Sequence, residues 1–155
     1  MKRMINEMKL RLIANGENES VCRHAVSAFA AVLDPTVAEL GDLRLAVSEA
    51  VTNAVVHAYS DLLPGQVGYV YISVRLYDTR EISVEISDRG RGIANVEEAM
   101  HPGFTTGGAS ERCGMGFLVM QSFTDSLHVK SAPGRGTTVL MRKFLSPISE
   151  RQNEA

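Results

Sequence analysis

Asp42-Leu43-Arg44-Leu45-Ala46-Val47-Ser48-Glu49-Ala50-Val51-Thr52-Asn53-Ala54-Val55-Val56-His57-Ala58-Tyr59 is the stretch on which the reading of the chain turns. Leu43, Val47, Ala50, Val51, Ala54, Val55 and Ala58 recur every three or four residues, the spacing of a helix that buries one face. Glu49, Asn53 and His57 form a second stripe, stacked a turn apart along the border of that face. A carboxylate followed one turn later by a carboxamide has the chemistry of a general base beside a neutral metal ligand. The same stripe also fits the wet edge of an ordinary amphipathic helix, so its meaning depends on what the rest of the chain places beside it.

Upstream, residues 6 to 14 alternate Met8, Leu10 and Leu12 against Lys9 and Arg11, the pattern of a half-buried strand. Asn15-Gly16 breaks it, and Glu17 to Leu33 carries Val21, Ala25, Ala28, Phe29 and Val32 at helical spacing, with Arg23 off that stripe and expected to face solvent. Asp34-Pro35 suits a new helix with aspartate at its cap and proline at its first position, running to Tyr59 unless Gly41 divides it. Downstream, Pro64-Gly65 marks a turn, after which the period becomes two. Val70, Ile72, Val74 and Leu76, then Ile82, Val84 and Ile86 across Asp78-Thr79, read as an antiparallel hairpin. Leu127 and Val129, the turn Pro133-Gly134-Arg135-Gly136 and the run Thr137 to Phe144 read as another. A short helix is expected at 95 to 100 and a longer one at 115 to 123. The sum is an α+β fold, a two-layer sandwich whose mixed, mainly antiparallel sheet carries its helices on one face.

At 155 residues the chain is expected to be one domain, residues 1 to 146, with a polar frayed tail at 147 to 155. Its 45% hydrophobic and 22% charged residues are the mix of a globular protein rather than a disordered one. The formal charge of −2 provides no general attraction for nucleic acid or anionic membrane, so neither is expected as a partner. Cys22 and Cys113 are too few for a disulfide framework and lack zinc-site spacing. No signal core or membrane-length run occurs, and a cytoplasmic location is expected.

The remaining chemistry gathers in glycine-bearing stretches. Asp88-Arg89-Gly90-Arg91-Gly92 follows the strand ending Ile86-Ser87. A carboxylate at a strand mouth can accept from an exocyclic amine, and spaced glycines let backbone approach a ligand, although a plain Asp-x-Gly turn has the same letters. Residues 102 to 117 form a long loop rich in glycine and hydroxyls, and Gly114-Met115-Gly116 opens a helix whose free amides suit phosphate oxygens. No Gly-x-x-x-x-Gly-Lys-Ser/Thr occurs, which argues against a P-loop. Gly136-Thr137-Thr138 begins the last strand.

In this order, Glu49-x-x-x-Asn53, Asp88-x-Gly90-x-Gly92, Gly114-x-Gly116 and Gly136-Thr137 resemble the four boxes of the nucleotide-binding fold shared by gyrase, the sensor histidine kinases and their relatives. The resemblance is closest to the anti-sigma F factors of spore-forming bacteria, small serine-protein kinases. It extends through Glu17-Asn18-Glu19-Ser20, Asp34-Pro35-Thr36, Val47 to Ala54, Phe104-Thr105-Thr106 and Gly114 to Phe117. The resemblance implies binding of ATP or ADP with magnesium. Glu49 would be the base for a substrate serine, and Asn53 the magnesium ligand. Asp88 would hold the adenine amine with Thr137 helping through water, while Gly90 and Gly92 let the base approach. Thr105, Thr106, Arg112, Gly114, Met115 and Gly116 would contact the phosphates. It also implies a homodimer that binds a sporulation sigma factor and phosphorylates an anti-anti-sigma protein. Arg23 and Glu19, on the first helix, would be partner contacts.

One departure concerns the lid. Where the family continues Phe-Thr-Thr with Lys-Pro, this chain has Gly107-Gly108, which removes a cation and loosens the loop; Arg112 would substitute. Cys113 stands where the family has serine. Two alternatives follow: a detached ATP-binding domain of a histidine kinase, disfavoured because the only local candidate acceptor, His24, sits on a helix expected to belong to the same domain, and a nucleotide-gated sigma-binding protein with little transfer activity.

Overall fold

The computed structural model of the chain describes residues 1–101 and 115–149. Its elements run β1 (Met4–Ile13), α1 (Gly16–Ala30), a 3-10 turn (Ala31–Leu33), α2 (Val37–Asn53), a π-helical turn (Ala54–Ala58), β2 (Tyr69–Tyr77), β3 (Glu81–Asp88), α3 (Val96–Ala99), α4 (Gly116–Phe123), β4 (Ser126–Ser131) and β5 (Thr137–Phe144). The strands form one five-stranded sheet in the order β1-β2-β3-β5-β4. All four pairs are antiparallel, so the two-layer α+β sandwich expected from the sequence is observed at the antiparallel limit of a mixed sheet.

The period of two decides which face is covered. Ile72 pairs with Ile86, Val74 with Val84 and Leu76 with Ile82, and all six side chains are almost fully buried. Val139 and Met141 on β5 continue the surface. Leu43, Val47 and Val51 from α2, Cys22 and Val26 from α1, and Met120 from α4 belong to the same core. Each large aliphatic side chain removed from water this way stabilises by about 1.5–3 kcal/mol, which is what holds the helical layer on the sheet.

Two local expectations are corrected. The start of α2 is capped by Thr36, not Asp34, and Pro35 precedes the helix. Thr36 Oγ1 accepts from Glu39 N–H at 3.1 Å while Glu39 Oε2 accepts from Thr36 N–H at 2.8 Å, so two orphan amides are satisfied reciprocally. Asp34 instead takes the left-handed conformation (φ 51°) that closes the 3-10 turn. Glu39 Oε1 also accepts from Ser146 N–H at 2.7 Å, fastening the chain after β5 to this cap. Burial pushes the Glu39 carboxyl up, but its bonds from Ser146 and Thr36 outweigh that and hold it down at about 2. The helix passes through Gly41 without a break.

The second correction is the face of α1. Val21 and Val32 are 49% and 62% exposed, whereas Cys22, Val26, Ala30 and Leu33 are the buried line. Cys22 behaves as a small core hydrophobe, and the tighter 3-10 turn brings Leu33 rather than Val32 onto the core. Burial, with Glu19 adding, pushes the Cys22 thiol up to about 11, so this thiol is an inert packing group.

Candidate functional site

Glu49 and Asn53 sit one turn apart on the last two turns of α2, at the border where its buried face meets the cavity. Beyond Asn53 the helix widens into the π turn, a form common at functional sites because it re-aims backbone groups. Here it presents the Ala58 carbonyl to Arg91 N–H at 2.8 Å. Gly90 lies directly against that carbonyl, where any Cβ would overlap it. The glycine loop after β3 is thereby stitched to the end of the α2 segment.

Asp88 ends β3. Its Oδ1 accepts from Gly90 N–H at 2.9 Å and from Thr137 N–H at 3.2 Å. Burial pushes its pKa above the ordinary carboxylate value, and the two backbone donors offset only part of that rise. Two glycines close the backbone around it. Gly92 (φ 75°) faces the Ala132 carbonyl and Gly136 (φ 78°) faces the Asp88 carbonyl, both so closely that no side chain fits. Gly134 N–H donates to the Arg91 carbonyl at 2.8 Å, tying the β4–β5 turn to the same loop. Tyr59 locks the outer rim, donating to the Tyr69 carbonyl at 2.6 Å and accepting from Arg89 N–H at 2.8 Å.

Across from Asp88, α4 starts at Gly116 with Met115 as a cap that supplies no side-chain hydrogen bond, so its first amides are not satisfied by a cap side chain. A Cβ on Gly116 would stand 3.2 Å from the Asn53 amide atoms and 3.4 Å from Glu49 Oε2. The helix N-terminus, the carboxamide and the carboxylate therefore meet at one point. An N-terminus of this kind favours negative charge, and phosphate above all.

Between the two ends lies a cavity of about 640 Å³. Ala50, Ala54, Ile86, Ile93, Ala99, Phe117 and Val139 give it an apolar middle, while Glu49, Asn53 and Gly116 mark one end and Asp88 and Thr137 the other. A largely apolar cavity with a few polar groups is the form of a small-molecule site. Of the residues singled out in the sequence, Glu49, Asn53, Asp88, Gly92, Met115, Gly116 and Thr137 line this cavity, and Gly90 supports it from behind. Thr105, Thr106, Arg112 and Gly114, with the glycine pair and Cys113, lie outside the described residues. His57, Arg91, Asn95 and Glu98 also line the wall. Arg91 falls inside the Asp88 motif yet had no role in the reading, and Asn95 carries no signal beyond its capping of α3, where its side chain accepts from Glu98 N–H.

Arg23 and Glu19 are not in the cavity. Arg23 Nη1 pairs with Glu19 Oε1 at 3.5 Å, and Ser48 Oγ donates to the same oxygen at 2.5 Å. The expectation that Arg23 faces solvent is corrected. Its side chain is 31% exposed, and its Nε is buried with no hydrogen-bond partner among the described residues. The pair with Glu19, one turn earlier on α1, folds the long side chain back along the helix.

Residues 13–143 match the family model described as the histidine kinase-like ATPase domain. Proteins named anti-sigma F factor are similar over most of their length. That of Caldanaerobacter subterraneus is 48% identical over 140 residues, covering 90% of this chain and 94% of the relative. That of Clostridium acetobutylicum is 45% identical over 145 residues, covering 94% and 98%. The chain belongs to the anti-sigma F factor family of histidine kinase-like ATPase domains. The fold is shared more widely. The crystal structure of the RsbU and RsbW domains of a Mycobacterium tuberculosis protein aligns with a TM-score of 0.66 at 19% identity, over 92% of this chain and 33% of that one. A blue-light activated histidine kinase of Erythrobacter litoralis aligns at 0.58 with 23% identity, over 82% and 42%. None of the described helices is long and apolar enough to cross a membrane.

Proposed function

We propose that the chain is an anti-sigma factor that binds and inhibits a sporulation sigma factor and, as an ATP-dependent protein-serine kinase, phosphorylates and so inactivates an anti-anti-sigma factor. The observation that carries the reading is the convergence of Asp88 and Thr137 on one end of a single cavity and of Glu49, Asn53 and Gly116 on the other. Kinship with proteins named anti-sigma F factor supports the choice of partners.

In this reading Oδ2 of Asp88, the oxygen that Gly90 and Thr137 do not engage, receives the adenine amine, and the apolar middle takes the faces of the ring. Met115 and Gly116 bring the start of α4 to the phosphates, and Thr105, Thr106, Arg112 and Gly114 keep the phosphate contacts that the resemblance gives them. Glu49 accepts the proton of the substrate serine hydroxyl as the oxygen–phosphorus bond forms and the bond to the leaving ADP oxygen breaks. Magnesium fits the donor set as an ion shared with the nucleotide. Among the described residues no group of three or more His, Cys, Asp or Glu makes a metal cage, and Asn53 offers one neutral oxygen at the phosphate end. Magnesium is held in this way, by few protein ligands plus phosphates and water, and it would supply charge neutralisation.

The rest of the assignment concerns surfaces. Arg23 and Glu19 are the proposed partner contact on α1, through the part of the Arg23 side chain that stays exposed. A homodimer would use β1, an edge strand paired on one side with β2. The reading keeps residues 1 to 146 as one domain, supported at its end by the burial of Leu145 and the tie from Ser146 to Glu39, and keeps a cytoplasmic location. Incubation with labelled ATP, magnesium and a candidate anti-anti-sigma protein tests the activity. Acid-stable label on serine is expected. Acid-labile label on histidine would point to a histidine kinase, and nucleotide binding without label to a nucleotide-gated binder.

A further inference from the structure

Ser131 ends β4 and stands behind Thr137, outside the residues that line the cavity. Its hydroxyl has three partners. It accepts from Ile93 N–H at 2.7 Å, donates to the Gly136 carbonyl at 2.9 Å, and lies 2.8 Å from Thr137 Oγ1. A serine hydroxyl has one proton and two lone pairs. The Ile93 amide occupies one lone pair, and the Gly136 carbonyl, which can only accept, takes the proton. The second lone pair is all that remains for Thr137, so the Thr137 hydroxyl donates to Ser131. The opposite arrangement would turn a buried Gly136 carbonyl toward an oxygen that has no proton to give it.

The consequence reaches the cavity. A threonine hydroxyl also has one proton, and here it points away from the ligand side, leaving lone pairs for whatever binds. Beside it, Asp88 engages two backbone amides through Oδ1 and, when ionised, can only accept. The geometry points to Ser131 as a positioning residue that fixes Thr137 as a hydrogen-bond acceptor, so that the base end selects a 6-amino purine and rejects a 6-oxo purine. This rests on the nucleotide reading above. A site whose polar groups are fixed as acceptors discriminates strongly, because a ligand carbonyl brings another acceptor against them and leaves them unpaired.

The test is calorimetric titration of ATP and of inosine triphosphate, which carries a carbonyl in place of the 6-amino group, each with magnesium. Wild-type protein is expected to favour ATP. Ser131→Ala releases the Thr137 proton to turn toward the cavity, so ATP weakens, inosine triphosphate does not, and the ratio narrows at least about tenfold. Ser131→Thr keeps the hydroxyl and the wild-type ratio. A serine that merely pinned the loops would weaken both nucleotides in parallel, so an unchanged ratio in Ser131→Ala, or equal narrowing in Ser131→Thr, overturns the inference. Should Ser131→Ala not fold, Thr137→Val is expected to narrow the ratio by deleting the acceptor itself, and an unchanged ratio there also overturns it. Wild-type protein that binds both nucleotides equally contradicts this inference alone; wild-type protein that binds neither contradicts the nucleotide reading beneath it.

Discussion

At the Asp88 end of the cavity the wall is backbone packed on backbone: Gly92 on Ala132, Gly136 on Asp88 and Gly90 on Ala58. At the Glu49 end it is two side chains of α2 facing the start of a short helix, with contacts of 3.2–3.4 Å that begin only at an added Cβ on Gly116. The first end is over-determined, because each loop is hydrogen-bonded to another and no side chain can be inserted. The second is set by rotamers and by a helix terminus that can adjust. Under the proposed function, recognition of a base falls to the end closed by backbone contacts, and phosphoryl transfer to the end built from side chains and a helix terminus.

If the ends are separable in this way, a change at one should leave the other's task intact. Glu49→Gln keeps the shape and removes the proton acceptor. Transfer to the substrate serine is expected to fall by about 10²–10⁴-fold with nucleotide affinity unchanged, as read by labelled transfer beside calorimetry. A parallel loss of affinity would mean that Glu49 helps to bind rather than to react. Next in size is a pair within one turn. Gly136→Ala forces a methyl into the Asp88 carbonyl at positive φ and is expected to cost about 3 kcal/mol or more in denaturant unfolding. Gly134→Ala has the same sign of φ with open space around it and should cost about 1 kcal/mol. Equal costs would show that the rigid end is not rigid. The smallest effect has the opposite sign. Gly41→Ala, inside α2 with nothing within 4 Å, should stabilise by about 0.5–1 kcal/mol and leave both ends unchanged.

The sheet was legible because apolar residues fall at every second position from Val70 to Leu76 and from Ile82 to Ile86, which marked the core face even though Ser83 on the other face is buried too. The site was legible through its glycines, since close backbone approach leaves a residue that nothing else replaces, as at Gly90, Gly92 and Gly136. Most of what escaped depends on contacts that no local pattern encodes; the cap of α2 is the exception, since Thr36-x-x-Glu39 is itself a local signature. The burial of Cys22 in place of Val21 is a matter of helix rotation by one residue, decided by packing on α2 and the sheet. The cap of α2 is Thr36 because Glu39 answers it from three residues on, a pairing that competes with the equally plausible Asp34-Pro35. The π turn at Ala54–Ala58 has an ordinary helical sequence, and its Ala58 carbonyl is taken by Arg91 N–H from a loop far along the chain. Ser131 is one hydroxyl among many until its three partners are known.

At Asp88 the proposed recognition role and the stability of the fold oppose each other. Its folded pKa lies above the ordinary value of 3.8, chiefly through burial, so the fold favours the protonated form. The stability it contributes is fully present below that ordinary value and is lost as pH rises through the folded pKa. At neutral pH the ionised carboxylate therefore costs the domain stability, and the proposed function gives it a use as an acceptor. Asp88→Asn keeps an oxygen for Gly90 and Thr137 but replaces the second oxygen with a donor. Its melting temperature at pH 7 is expected to equal or exceed that of the wild type.

The most direct measurement is calorimetric titration of ATP with magnesium into Asp88→Asn beside the wild type. The expected result is tight binding by the wild type and a loss of affinity of about 100-fold or more in the variant, with the fold intact. A variant that binds ATP as tightly as the wild type would contradict the placement of the base at the Asp88 end.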